Sequence, residues 1–281
     1  MKIVGYRKNE HDPVSIGVLQ DDEIRPLASL DVFWSDAFVW IDRAATVDGP
    51  GFDVALVGVV PPVPPSARVI CVGLNYRAHA AEGGFTPPDY PTLFGRWTPS
   101  LSVGGVPAPV PANEAGLDWE GEVAAFIGTR LESVDSETGV SGVLGYACFN
   151  DLTARKAQKL TAQWTLGKNG DRSGPLGPLV PAAEVGDLSD GLRVQTRVNG
   201  TVVQDGNTRD FIFSVGEIIA LISETFTLHP GDIIATGTPE GVGYVRNPPW
   251  LLGPGDIVEV EIEKLGVLRT PIVDASGRKG A

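Results

Sequence analysis

Leu117-Asp118-Trp119-Glu120-Gly121-Glu122-Val123-Ala124-Ala125-Phe126-Ile127 is the stretch that decides how this chain folds. Its apolar run, 123–127, has the length of a strand and follows at once on two acids. Side chains in a strand alternate faces, so Glu120 and Glu122 point the same way. Two carboxylates roughly 6 Å apart repel by about 3 kcal/mol at an effective dielectric near 20. A Glu-x-Glu pair ordinarily marks a solvated face. Parity argues otherwise here, because Ala124 and Phe126 fall on the same face as the two glutamates. An inward face with its acidic end at a cavity is expected, with a cation to offset the repulsion. A hard divalent metal is the natural candidate. Asp151, in Phe149-Asn150-Asp151-Leu152-Thr153-Ala154-Arg155, supplies a third carboxylate, and Lys168 follows in Trp164-Thr165-Leu166-Gly167-Lys168. Three carboxylates suit Mg²⁺ or Mn²⁺ with positions left open for a substrate.

Composition narrows the function classes. The chain has 281 residues, enough for one large domain or a large domain with a small appendage. Gly 35 and Pro 23 point to many turns and short strands. A net charge of -13 argues against nucleic-acid binding, which needs a basic footprint, and against a polybasic membrane surface. Cys71 and Cys148 sit in apolar strand-like runs and read as buried free thiols; no Cys-x-x-Cys exists. Residues 1–7 lack a signal peptide's apolar core and no run is long enough to span a membrane, so a cytoplasmic protein is expected.

Residues 1–65 read as a small N-terminal accessory domain, contributing to a dimer or covering one end of the site. Strands are expected at 1–7, 14–19 and 23–27, a helix near 36–42, and a stiff linker at Pro61-Pro62-Val63-Pro64-Pro65. Residues 66–281 form the second unit. Strands are expected at 68–72, 106–111, 118–127, 140–150, 192–198, 233–236 and 257–262, with a hairpin at Asn199-Gly200. Short helices are expected at 76–82, 153–160 and 215–223. Strands dominate, so the class is mixed α/β, mostly β. No GxGxxG follows a strand and no GKS or GKT occurs, which removes Rossmann and P-loop readings.

Several segments carry a family pattern in order: Val72-Gly73-Leu74-Asn75-Tyr76-Arg77-Ala78-His79-Ala80-Ala81-Glu82, the acidic stretch 117–123, Asn150-Asp151-Leu152-Thr153-Ala154-Arg155 with Gln158, and Gly167-Lys168. Gly174-Pro175-Leu176-Gly177-Pro178 and 230–243 follow. Together they closely resemble the fumarylacetoacetate hydrolase superfamily over residues 68–272, in a bacterial member with a short N-terminal domain. The resemblance implies a rolled mixed β-sheet domain preceded by a small N-terminal α/β domain, a homodimer, and Mg²⁺ or Mn²⁺ held by Glu120, Glu122 and Asp151. It makes Lys168 the active-site lysine. His79 and Glu82 lie three apart on a short helix and share a face. A carboxylate beside an imidazole orients it and raises its basicity, giving a dyad able to deprotonate water. The resemblance puts this dyad on a mobile segment, which Gly83-Gly84 and Pro87-Pro88 suit. It also places Arg155 and Gln158 at the substrate; Thr238, in Thr236-Gly237-Thr238-Pro239 after a buried strand, is expected to contact a substrate carboxylate through its hydroxyl and backbone N–H groups.

The implied activity is metal-dependent hydrolysis of a C–C bond in an acylpyruvate or β-diketo acid such as a fumarylpyruvate. An oxaloacetate-type decarboxylase and an isomerase of 2-hydroxymuconate or hepta-2,4-diene-1,7-dioate type use the same enolate chemistry and stay open. So does a non-catalytic protein that binds a small acid or a metal. The sequence departs from the family pattern at three places. Lys156 stands where an acid usually follows the arginine. Asn169-Gly170-Asp171-Arg172-Ser173 lacks two aromatics, with Ser173 at the place of the second. Arg96 stands where a lysine is expected. These alter the pocket wall and leave the metal carboxylates intact.

Overall fold

The computed structural model describes residues 1–82 and 88–275, the side chains of residues 79–81 excepted. Its centre is the strand Gly121–Ile127, and all seven residues are buried. Val123, Ala125 and Ile127 pack with Val194, Val260 and Ile262 and with the helix Val215–Thr225. Ala124 and Phe126 pack on the other side, with Ile3, Phe33 and Leu144. The strand is thus interior on both faces, which is why its sequence is a continuous apolar run rather than an alternation.

Around it runs a mixed sheet in the order Thr92–Arg96, Val69–Gly73, Ile233–Ala235, Gly121–Ile127, Val143–Asn150, Gly174–Leu176, Leu101–Val103, with Val180–Pro181 pairing off the side of Val143–Asn150. The antiparallel register Gly121↔Asn150 sets the site. It brings Asp151, the residue after its strand ends, beside Glu120, and the Asp151 N–H donates to Glu120 O at 2.9 Å. Gly121 is required between the two glutamates, since a Cβ there would lie 2.4 Å from Thr196 Oγ1.

A second sheet, Thr201–Asn207, Arg193–Val198, Ile257–Ile262, Gly266–Val273, Ala108–Pro109, packs across the first. Its hairpin turns at Asn199 and Gly200, both with positive φ (50° and 81°), as the Asn-Gly pair predicts. Curled mixed sheets with few helices are the class expected from the sequence.

The first sixty residues form a five-stranded antiparallel sheet with helices Leu30–Ser35 and Ala37–Ala44. Ile3 and Leu179 exchange backbone hydrogen bonds of 2.8 and 3.0 Å, tying this sheet to the large one. The proline run is not a solvated spacer. Val63 is buried, and Trp34 Nε1 donates to Pro62 O at 2.8 Å. Pro62 and Val63 are buried, whereas Pro65 is exposed. Two elements are shorter than expected for a shared reason. Asp118 and Thr153 pair backbone to backbone at 2.9 and 3.0 Å. That bridge delays the first ladder to Gly121 and holds the helix back to Arg155–Gln158. Cys71 and Cys148 are buried and free. Among the described residues no helix is long and apolar enough to cross a membrane.

Candidate metal centre

Carboxylate oxygens of Glu120, Glu122 and Asp151 all lie within 4.8 Å of one another, and all three residues are buried. Glu122 accepts one hydrogen bond, from Gly237 N–H at 2.9 Å, and has no ion pair among the described residues. Gly237 can present that N–H because its φ is +93°, a conformation that costs glycine little. Burial, then the nearby Asp151 and Glu120 carboxylates, pushes the Glu122 carboxyl well above the usual range.

Protein cations take up the other acids. Lys168 Nζ donates to Glu120 Oε2 at 2.6 Å and Asp151 Oδ2 at 2.5 Å. Burial pulls the Lys168 ammonium down, but Asp151 and Glu120 more than offset it, so its pKa stands above that of an ordinary lysine. Arg155 donates from Nε to Asp118 Oδ2 at 2.8 Å, from Nη2 to Glu120 Oε1 at 2.6 Å, and from Nη1 to Gln158 Oε1 at 3.0 Å. Asp118 also accepts Gly243 N–H at 2.6 Å, fixing the 241–244 turn against the site. Burial nevertheless leaves the Asp118 carboxyl above its ordinary value, outweighing the Arg155 partner. Arg96 Nε reaches Asp151 Oδ1 at 2.5 Å.

Four buried carboxylates (Asp118, Glu120, Glu122, Asp151) therefore face three buried cations (Arg96, Arg155, Lys168). Among the described residues Glu122 is the acid left without one, and an uncompensated buried charge is costly. Hard oxygen donors around that surplus negative charge fit a divalent ion such as Mg²⁺ or Mn²⁺. A cavity of about 380 Å³ opens over the group. Glu120, Glu122, Lys168, Arg155, Gln158 and Thr238 line its polar side, and Val72, Phe94 and Trp164 its apolar side. Tyr244 and Lys159 also line it; Lys159 Nζ sits 4.4 Å from the Tyr244 ring centroid, and Arg155 Cζ 4.2 Å from the same ring.

The structure brings the expected Glu120, Glu122, Asp151, Lys168, Arg155, Gln158 and Thr238 together. Thr238 spends its hydroxyl within the protein, donating to Gly121 O at 3.0 Å and accepting from Gln204 Nε2 at 2.8 Å. It holds the backbone between the two glutamates while facing the cavity. Glu82 is exposed, ends the helix Arg77–Glu82, and accepts Gly241 N–H at 3.1 and 3.2 Å. The His79 side chain lies outside the described residues, as does the segment 83–87, so the dyad and its lid do too. Arg96 and Asp118 belong to the centre although the sequence reading gave them no role there. The one signal for Arg96 was its place where a lysine is expected; for Asp118, its adjacency to the paired glutamates.

Residues 68–273 match the C-terminal domain of fumarylacetoacetate hydrolase. The chain belongs to the fumarylacetoacetate hydrolase superfamily. The oxaloacetate tautomerase YisK of Bacillus subtilis is 40% identical over 217 residues, 75% of this chain and 71% of the relative. Among solved structures, 5-carboxymethyl-2-hydroxymuconate delta-isomerase from Mycobacterium smegmatis is 30% identical with a TM-score of 0.77, covering 98% of this chain and 100% of that one. Fumarylpyruvate hydrolase from Pseudomonas aeruginosa, in complex with Mn²⁺ and pyruvate, is 33% identical with a TM-score of 0.68, covering 77% of this chain and 92% of that one. Tautomerase, isomerase and hydrolase thus all occur among fumarylacetoacetate hydrolase relatives of this chain, enzymes of small organic acids.

Proposed function

We propose that this protein is a divalent-metal-dependent hydrolase that cleaves the C–C bond of an acylpyruvate. The observation that carries the reading is the buried Glu120–Glu122–Asp151 cluster with Lys168 beside it at the floor of a cavity. The three carboxylates would hold Mg²⁺ or Mn²⁺, which when bound supplies Lewis-acid polarisation of the substrate's oxygens. The chain's own residues do the rest. Lys168 keeps a fixed positive charge where negative charge develops on the pyruvate-side oxygen, and a preorganised cation in a dry site is worth far more there than in water. Phe94, Trp164 and Val72 give the cavity an apolar lining beside Lys168. Arg155 and Gln158, bonded to each other, hold the polar wall in one geometry.

His79 is assigned the proton of an attacking water, with Glu82 as its neighbour on the helix. The helix begins three residues after the cavity-lining Leu74, and Glu82 ties its end to the loop that carries Thr238. Hydroxide from that water adds to the distal carbonyl. The C–C bond then breaks, its electron pair passes to the pyruvate enolate, and protonation at carbon gives pyruvate and a free acid. The homodimer and the cytoplasmic setting expected from the sequence belong to the same proposal.

Lys159 refines the substrate class. Among the described residues no carboxylate pairs with it, whereas Arg155 and Lys168 are both neutralised. A cation lining the cavity, resting on the Tyr244 ring with no carboxylate partner among the described residues, suits a substrate with a second carboxylate, as in fumarylpyruvate. Lys159→Met should raise KM for a dicarboxylic acylpyruvate about two- to fivefold, the worth of a solvent-exposed charge pair, and leave KM for acetylpyruvate unchanged.

Oxaloacetate tautomerisation is the second reading, favoured by the name of the Bacillus subtilis relative. It needs Lys168 and a proton carrier but no water addition. Turnover in H₂¹⁸O separates the two. Hydrolysis places one ¹⁸O in the released acid; interconversion of enol and keto oxaloacetate with acylpyruvates left intact would replace the hydrolase reading.

A further inference from the structure

We infer that Arg96 and Ser173 act as one positioning device for Asp151, so that Ser173 sets divalent-metal affinity without touching the ion. The inference rests on the metal reading above. Arg96 is buried, and each of its three guanidinium nitrogens donates. Nε donates to Asp151 Oδ1 at 2.5 Å, Nη2 to Leu152 O at 2.8 Å, and Nη1 to Ser173 Oγ at 2.8 Å with a longer contact to Ser100 Oγ at 3.3 Å. A lysine ammonium could meet Asp151 but could not span these partners, because only the planar guanidinium presents donors in a fixed fork.

Ser173 is held ready as an acceptor. Its own hydroxyl donates to Gly170 O at 2.7 Å, which leaves the lone pairs for Arg96. The same loop grips the residues on both sides of Arg96. Trp97 N–H donates to Asn169 Oδ1 at 2.6 Å, and Asn169 Nδ2 donates to Gly95 O at 3.3 Å. Two departures from the family pattern, Arg96 and the loop 169–173, thus meet in one contact. A serine in place of an aromatic leaves room for the larger guanidinium and supplies the acceptor it needs.

Asp151 is consequently clamped at both oxygens, Oδ1 by Arg96 and Oδ2 by Lys168. Loss of the Ser173 hydroxyl leaves a buried guanidinium N–H with only the long Ser100 contact. The guanidinium is then held by Asp151, Leu152 O and the long Ser100 contact without its short Nη1 anchor, and Asp151 is aimed less firmly. Partners that orient a metal-binding side chain are worth about 10–100-fold in affinity.

The test is calorimetric titration of Mn²⁺ into metal-stripped protein, with circular dichroism to confirm folding. Ser173→Ala should weaken Mn²⁺ binding about tenfold, and Ser173→Thr, which keeps the hydroxyl, should stay within about twofold of the parent. In the Arg96→Lys background, Ser173→Ala should change the affinity by less than about twofold, because its only route to Asp151 is gone. Equal affinities for parent and Ser173→Ala would overturn the inference, as would the same loss in both backgrounds. Should Arg96→Lys fail to fold, the contrast between Ser173→Ala and Ser173→Thr decides alone. Failure of the parent to bind Mn²⁺ would overturn the metal reading and this inference with it, an outcome distinct from normal parent binding with an insensitive Ser173.

Discussion

Glu122→Gln is expected to abolish the response to divalent metal while leaving the metal-free fold as stable as before. Glu122 is buried, and among the described residues its one hydrogen-bond partner is the Gly237 N–H and it has no ion pair. A neutral amide of the same shape removes the anion that the ion requires, and the fold loses no ion pair. Melting curves read this directly. Mn²⁺ at about a hundred times its Kd should stabilise the parent by about 2.7 kcal/mol by mass action, and the variant not at all. The metal-free proteins should melt together, or the variant higher. Acylpyruvate turnover should fall by about 10³, the scale of losing a principal source of transition-state charge stabilisation. A variant that still melts higher with Mn²⁺ would remove Glu122 from the centre.

Lys168→Met should give the opposite signature. Lys168 bridges Glu120 and Asp151, so its removal leaves two buried carboxylates short of a partner. Breaking a buried pair in this way costs about 3–5 kcal/mol, and the metal-free variant should melt well below the parent. Mn²⁺ should bind it at least as tightly as the parent, because a competing cation has gone, and should recover much of the lost stability. Turnover should still fall by about 10²–10³, because the fixed charge beside the reacting oxygen is missing. Weaker metal binding combined with normal kcat would reverse the roles given to Lys168 and Glu122.

Local order carried much of this into the sequence. Alternation put Glu120 and Glu122 on one side together with Ala124 and Phe126, and Asn199-Gly200 specified its hairpin. What stayed hidden depends on contacts between distant segments. Arg96 is 55 positions from Asp151. Nothing within Thr92–Arg96 distinguishes a surface arginine from one whose every donor is engaged. Asp118 stood in the quoted motif, yet its role depends on where the 241–244 turn and Arg155 come to rest. The electrostatic problem of the paired glutamates was legible, and so was a cation as its remedy; that Lys168 and Arg155 both pair with Glu120, while Glu122 has no cation partner among the described residues, was not. The contacts of the proline run were hidden for a related reason. Its composition reads as a spacer, while the pairing of Ile3 with Leu179 and the reach of Trp34 to Pro62 draw it into the core.

Turnover of an acylpyruvate by metal-stripped protein, followed as Mn²⁺ is added back, tests the proposed metal centre most directly. Activity should be absent in the stripped protein and should rise to a plateau at one ion per chain. Full activity in the presence of EDTA would contradict a metal held by Glu120, Glu122 and Asp151 as the basis of the reaction.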